Sequence, residues 1–399
     1  MRKKISWRIV ISITAIIMLG SNLRAPIVAV GPVIPEILQD LQLSPILISL
    51  ITSIPLACFA FGSPFVPRLQ NSFGLERTLL FAIVLLGLGI AIRSFGNSLY
   101  LFLGSTIIGI AITIANVLVP AYIKKAFPNR LGLITAFYLA SMNLMAAIAV
   151  AFSVKIGEIG NIGWKGSIGI WILLVGITFL IWLSTLKEKS SIKKPSKSSN
   201  FKKVWTSPLA WNISLLMGTQ SVVYYVFATW YPSILQTWGM DVVSAGKMLS
   251  YVHLSQVPGV LLGPLFADRL NKQTPLIWIA FLGLFSGLIL LATLETELAV
   301  LASVLIGSSI GLAFSLATIF FILRTENVSD AAELSGMAQS VGYFIAAFFP
   351  PIFGGIFYFT QSWKIPIFIL IGIAILLLIT GLTSASDKKI TDRKKILIP

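Results

Sequence analysis

The stretch GPLFADR, residues 263–269, has an echo about 200 positions earlier in GSPFVPR, residues 62–68. Both place an arginine six residues after a glycine, Gly62 to Arg68 and Gly263 to Arg269. Outward from these turns, VPAYIKK (119–125) aligns with IFFILRT (319–325), and SMNLMAA (141–147) with SVGYFIAA (340–347). A nearly constant offset predicts two related halves, the pattern of an internal repeat with a path between the copies. KEKSSIKKPSKSSNFKK, at 187–203, has a linker's composition of Lys, Ser and Pro and falls near the middle of the chain.

The segments on either side of that linker are apolar. Of 399 residues, 56% are hydrophobic and only 11% are charged, with a mean hydropathy of +0.92. A soluble domain carries about 25% charged residues, so this composition predicts a polytopic membrane protein. A spanning helix needs about 20 mainly apolar residues. Twelve segments qualify, near 7–35, 44–67, 77–95, 99–123, 131–154, 167–186, 208–236, 244–266, 275–294, 298–323, 333–359 and 364–384. The expected fold is an all-α membrane protein, with twelve transmembrane helices in two six-helix bundles. Residues 1–186 form the first bundle, 187–207 a basic cytoplasmic linker, and 208–399 the second bundle with a basic tail. The opening MRKKISWRIVISITAIIMLG has a basic end and an apolar run, as a signal peptide does. No small-x-small cleavage site follows, so it reads as a retained first helix.

Lys and Arg counted in alternate connections give the orientation. The amino terminus, the even-numbered connections and the carboxyl tail together hold 24 of the 30 basic residues. The opposite side holds five: Arg93, Lys155, Lys165, Lys247 and Lys364. The positive-inside rule then puts both termini in the cytoplasm. A net charge of +16 spread along the chain in this alternation is a topology signal rather than a nucleic-acid face. Cys58 is the one cysteine, which excludes an internal disulfide. No Cys/His metal spacing, phosphate loop or soluble ATPase-sized segment is present. The chain therefore reads as no enzyme and as needing no cofactor or metal.

Twelve spans, a basic central loop and the repeated turn resemble the major facilitator superfamily. Within it, the chain closely resembles the bacterial cyanate and 2-nitroimidazole transporter family. The resemblance is carried by NLRAPIVAVGPVIPEI (22–37), FGLERTLL (73–80), IANVLVPAYIKKAFPNRLGLITAFY (114–138), SPLAW (207–211), ATWYPSILQ (228–236) and ELSGMAQSVGYFIAA (333–347). It implies a monomer in the bacterial inner membrane that moves a small anionic or polar solute by alternating access. Two positions depart from the superfamily pattern: Pro67 replaces an Asp in the first turn, and Ser105 of STIIG (105–109) replaces an Arg in span 4.

The residue that points to chemistry is Arg24, about halfway along span 1. An arginine at bilayer depth costs at least about 2.5–3.5 kcal/mol on insertion scales, and such residues mark solute pathways. All fourteen acids fall in loops or at span ends, so Arg24 is the candidate attractive charge of a solute site. A guanidinium's planar fork suits a small anion or a nitro group. Asn22 and Asn116 are candidate donors to the same solute. In span 7, Gln220 and Tyr224 share a face at i, i+4, and span 11 repeats that spacing in Gln339 and Tyr343. Tyr138 and Asn143 in span 5 complete the set. Interhelical hydrogen bonding, at around 0.6–2 kcal/mol, is the competing role for each of these groups.

His253 is the single histidine and the candidate for proton coupling. Asp268 and Arg269, with Arg68 and Arg77 in the first half, are candidate latches through charge-assisted bonds to helix ends. Expected partners are the small-molecule solute, membrane lipid and possible coupling protons, with no nucleic acid. A broad-specificity drug exporter and a non-transporting solute sensor on the same scaffold are the alternative functions.

Overall fold

A computed structural model describes residues 7–43, 45–186, 201–294 and 296–390. Most of the expected basic linker, residues 187–200, lies outside the described residues. Twelve long helices correspond to the twelve expected spans. Helix 1 is Trp7–Val28, helix 2 Pro45–Gly62, helix 3 Leu75–Arg93, helix 4 Ser98–Ala126, helix 5 Leu131–Glu158 and helix 6 Trp171–Thr185. Helix 7 is Pro208–Thr237, helix 8 Val242–Arg269, helix 9 Thr274–Leu294, helix 10 Ala299–Leu323, helix 11 Val328–Thr360 and helix 12 Lys364–Ser384. Among the described residues, nine helices are long and apolar enough by themselves to cross a membrane. The nine leave out helices 2, 7 and 8, of which 7 and 8 carry Asn212, Gln220, Lys247, His253 and Gln256.

The helix ends follow local chemistry. Asn97, Asp241 and Asn327 cap helices 4, 8 and 11, accepting from Leu99 N at 2.7 Å, Ser244 N at 2.9 Å and Asp330 N at 2.8 Å. Gly74, at φ +84°, separates the short helix Val66–Phe73 from helix 3, a backbone conformation that glycine adopts without strain.

The chain divides into two compact units: Met1–Pro128 with Phe137–Ser199, and Asn129–Ala136 with Asn200–Pro399. In the first unit helices 3 and 4 meet closely through Gly89 and Gly104, and helices 2 and 4 through Gly109 against Cys58. Beyond helix 1, the short helix Ile34–Leu41 covers a cluster of Val30, Val33, Ile37, Ile51, Leu101, Trp164 and Ile168. Asp40 fastens it, accepting from Trp164 Nε1 at 3.0 Å and pairing with Lys165 at 3.1 Å. At the other end of this unit Glu76 pairs with Lys125 at 2.5 Å.

In the second unit helix 8 packs on helix 10 through glycines on both sides, and helix 7 meets helix 11 where Gly218 faces Gly342. Tyr231 and Trp230 of helix 7 are both tied to neighbouring helices. Tyr231 is fully buried with its hydroxyl 2.8 Å from Ser303 Oγ, and Trp230 donates to Pro350 O at 2.7 Å. After helix 10, Arg324 is a buried node. Its Nε donates to Ser384 O at 2.9 Å, its Nη2 to Gln273 Oε1, and its own carbonyl accepts from Ile390 N at 2.9 Å. The last described residues are thereby folded back onto the helix ends.

Candidate functional site

In the first unit the structure joins Arg24 to Asn143. Arg24 is half-buried, and its Nη1 donates to Asn143 Oδ1 at 2.7 Å. The Asn143 amide nitrogen donates to Leu139 O, one turn back on helix 5, at 2.8 Å, which turns Oδ1 toward the guanidinium. Close approach of the two helices makes this reach possible. Gly20 lies one turn before Arg24, and a Cβ there would stand 2.6 Å from Ser141 Oγ and 2.8 Å from Tyr138 O. Tyr138, buried on helix 5, donates its hydroxyl to Asn116 Oδ1 of helix 4 at 3.2 Å. Four of the expected residues therefore form two pairs.

Asn22 lies apart from Arg24. Two residues on a helix are separated by about 200°, so Asn22 and Arg24 face opposite ways. Asn22 is buried on the far side, donating to Met18 O and to Thr178 Oγ1 of helix 6, each at 2.8 Å. The second bond ties helix 1 to helix 6.

Arg93 differs too. Counted from sequence as an outer loop charge, it is 1% exposed at the end of helix 3, and its Nη1 donates to Pro26 O at 2.7 Å. Pro26 is in the last turn of helix 1, whose final carbonyls have no intrahelical partner. A cation there also complements the helix dipole. Among the described residues Arg93 Nε and Nη2 meet no hydrogen-bond acceptor. The sequence signal was weak: a basic residue at a span end reads the same whether it turns outward or back.

In the second unit the aromatic candidates converge and the amides do not. Tyr224 of helix 7 lies edge-on to His253 of helix 8, ring centroids 5.8 Å apart, and to Tyr225 at 5.0 Å. Tyr225 in turn meets Tyr343 of helix 11 at 6.2 Å. A row of four rings thus crosses helices 8, 7 and 11. Edge-to-face pairs of this kind are worth about 0.5–1.5 kcal/mol each beyond their burial. Tyr225 is the member that the i, i+4 spacing passed over, since it is five residues after Gln220.

Gln220 and Gln339 are buried and donate within their own helices, to Met217 O at 3.0 Å and Ser335 Oγ at 2.9 Å. His253 is exposed, its Nδ1 3.3 Å from Gln256 Nε2.

Of the expected latch residues, Asp268 is engaged: its Oδ2 accepts from Gly132 N at 3.0 Å, in the first turn of helix 5. Gly132 belongs to the segment that groups with the second unit. Arg269 and Arg77 are exposed, and Arg68 lies over the Phe65 ring at 5.5 Å. Glu76, the acid nearest Arg77, is paired with Lys125 instead.

A twelve-helix chain with an arginine inside its first span and aromatic residues facing one another across helices is a membrane transporter. It belongs to the Major Facilitator Superfamily, whose profile matches residues 10–350. Over 384 residues, 96% of this chain and 95% of the relative, it is 36% identical to an uncharacterized transporter, YycB, of Bacillus subtilis (strain 168). It is 32% identical over 382 residues, 96% of this chain and 97% of the relative, to the 2-nitroimidazole transporter of Escherichia coli (strain K12). The cyanate transport protein CynX of the same strain is 22% identical over 338 residues, 84% of this chain and 87% of the relative. The crystal structure of the E. coli fucose:proton symporter FucP superposes with a TM-score of 0.75 at 13% identity, covering 95% of this chain and 99% of that one. That likeness establishes the fold. The family and its relatives are transporters, not enzymes.

Proposed function

We propose that this protein moves a small anionic or polar solute, cyanate-like or nitroimidazole-like, by alternating access across a bacterial inner membrane, with both termini cytoplasmic. Arg24 attracts the solute. The observation that carries this reading is a half-buried guanidinium within a span, aimed by a 2.7 Å bond to Asn143. A cation at that depth is retained against an insertion cost of at least about 2.5–3.5 kcal/mol, and its fork matches a planar acceptor. Tyr138 and Asn116 add a hydroxyl and an amide in the same unit. The tyrosines of helices 7 and 11 favour a flat heteroaromatic solute as the second reading, since rings presented edge and face suit such a ligand. Names of the relatives support both solute classes. Asp268 on Gly132 acts as a latch for one of the alternating states, and His253 is the group through which protons couple.

The test is uptake of labelled cyanate and of 2-nitroimidazole into sealed proteoliposomes, with and without a pH gradient. Loss of a charged hydrogen bond of about 1.5–3 kcal/mol lowers apparent affinity roughly ten- to a hundred-fold in Arg24→Gln, while Arg24→Lys keeps the charge and loses less. Arg24→Gln protein that melts like the parent and transports an anionic solute equally well removes Arg24 from the site. Solute binding without flux identifies a sensor instead.

A further inference from the structure

Helices 8 and 9 both lie on helix 10, and a cavity of about 310 Å³ opens between them. Leu262 and Phe266 form one wall, Ile279 the other, and Leu305, Ser308 and Leu312 the floor. Two hydroxyls line it, Ser308 and the buried Ser309; Ser308 Oγ donates to Val304 O of its own helix at 2.7 Å, and the remaining lining residues are apolar, so the floor asks for an apolar ligand. The walls are open: Leu262, Phe266 and Ile279 are 48%, 47% and 59% exposed. In a membrane-spanning chain such side chains face hydrocarbon. From Pro258 to Phe266 the groove follows helix 8 for about 12 Å, close to one leaflet's share of the ~30 Å hydrocarbon core.

Charge marks one end. The two walls are joined by the short turn 270–273, so Arg269, the last residue of helix 8, and Lys272, within the turn, stand at the mouth nearest Phe266 and Leu276. Both are exposed. Asp268, the acid beside them, is turned to the Gly132 amide. An apolar trough one leaflet long that ends in two cations is complementary to a lipid with an anionic headgroup. Neither a free anion nor an apolar solute matches both parts. We propose that this groove binds an anionic phospholipid of the surrounding bilayer, with an acyl chain on Leu262, Phe266 and Ile279 and the phosphate held by Arg269 and Lys272.

Native mass spectrometry of the full chain, released from detergent containing equal phosphatidylglycerol and phosphatidylcholine with identical acyl chains, tests the assignment. The parent retains phosphatidylglycerol about thirty-fold over phosphatidylcholine, the ratio expected for two basic residues at ~1 kcal/mol each near an anionic headgroup. Lys272→Gln, which leaves Arg269, lowers that ratio to about five-fold. Ser308→Phe, which fills the floor, lowers retention of both lipids. Melting in detergent identifies folded variants. Equal retention of the two lipids by the parent overturns the headgroup contact. Undiminished binding in folded Ser308→Phe, or displacement of the lipid by glycerol phosphate alone, overturns the groove.

Discussion

Gly132→Ala is the most exposed test of how helix 5 begins. A Cβ at this position would stand 2.5 Å from Asp268 Cβ and 3.0 Å from the Pro264 carbonyl carbon, and nearer still to the Pro264 oxygen. Carbon atoms in contact sit about 3.5–4.0 Å apart, so the first turn of helix 5 must retreat by roughly 1 Å. The 3.0 Å bond from Gly132 N to Asp268 Oδ2 then stretches to about 4 Å, beyond hydrogen-bond range. A bond to a charged acceptor contributes about 1.5–3 kcal/mol. Alanine also favours a helix by about 1 kcal/mol over glycine, which opposes the loss. That gain does not reach this amide, because N–H groups in the first turn have no intrahelical partner. Its protection comes from Asp268. Hydrogen exchange of peptides covering 129–136, in nanodiscs, should therefore speed up roughly ten- to a hundred-fold in Gly132→Ala, and similarly in Asp268→Ala. Unchanged exchange in both variants refutes the capping argument.

Three further outcomes are expected. Its bonds to Trp164 and then Lys165 hold the Asp40 carboxyl below the usual carboxylate range. A depressed folded-state value means that this fastening of helix Ile34–Leu41 persists above the ordinary carboxylate pKa and is lost only as pH falls through the lowered one. Protection of residues 34–41, taken relative to the intrinsic exchange rate at each pH, should stay flat from neutral pH down to about pH 4 and then fall, while Asp40→Asn removes the pH step. Arg93→Met gives up one charged hydrogen bond of about 1.5–3 kcal/mol but also removes two buried donors costing about 1–3 kcal/mol each. Its melting temperature should match or exceed the parent's, and a loss above about 3 kcal/mol would show that the guanidinium is a structural necessity. Tyr225→Ala should weaken 2-nitroimidazole binding by roughly two- to ten-fold, the worth of one aromatic pair, and Tyr225→Phe should restore it; titration calorimetry reads both.

The spans were legible because lipid imposes a length and a composition that no tertiary contact can disguise. Helices 7 and 8 were counted among the apolar segments despite their polar residues, and the repeat of GSPFVPR in GPLFADR agrees with the end of helix 8. The pairing of Arg24 with Asn143 was partly legible, as both polar groups were candidates. Their distance depended on Gly20, whose packing role a sequence does not display. Asn22 was grouped with Arg24 by proximity along the chain, although helical periodicity already sets i and i+2 on opposite sides. Arg93 and Gly132 were hidden for another reason. Each depends on one carbonyl or one amide of a distant backbone, which leaves no mark on side-chain pattern.

The Arg324 node has a practical corollary for engineering. Because Ile390 N and Ser384 O both close on this arginine, a reporter or affinity tag fused after Ile390 leaves the clasp whole. A truncation ending at Ser384 strips the carbonyl of Arg324 of its donor at the very place where the chain leaves helix 10.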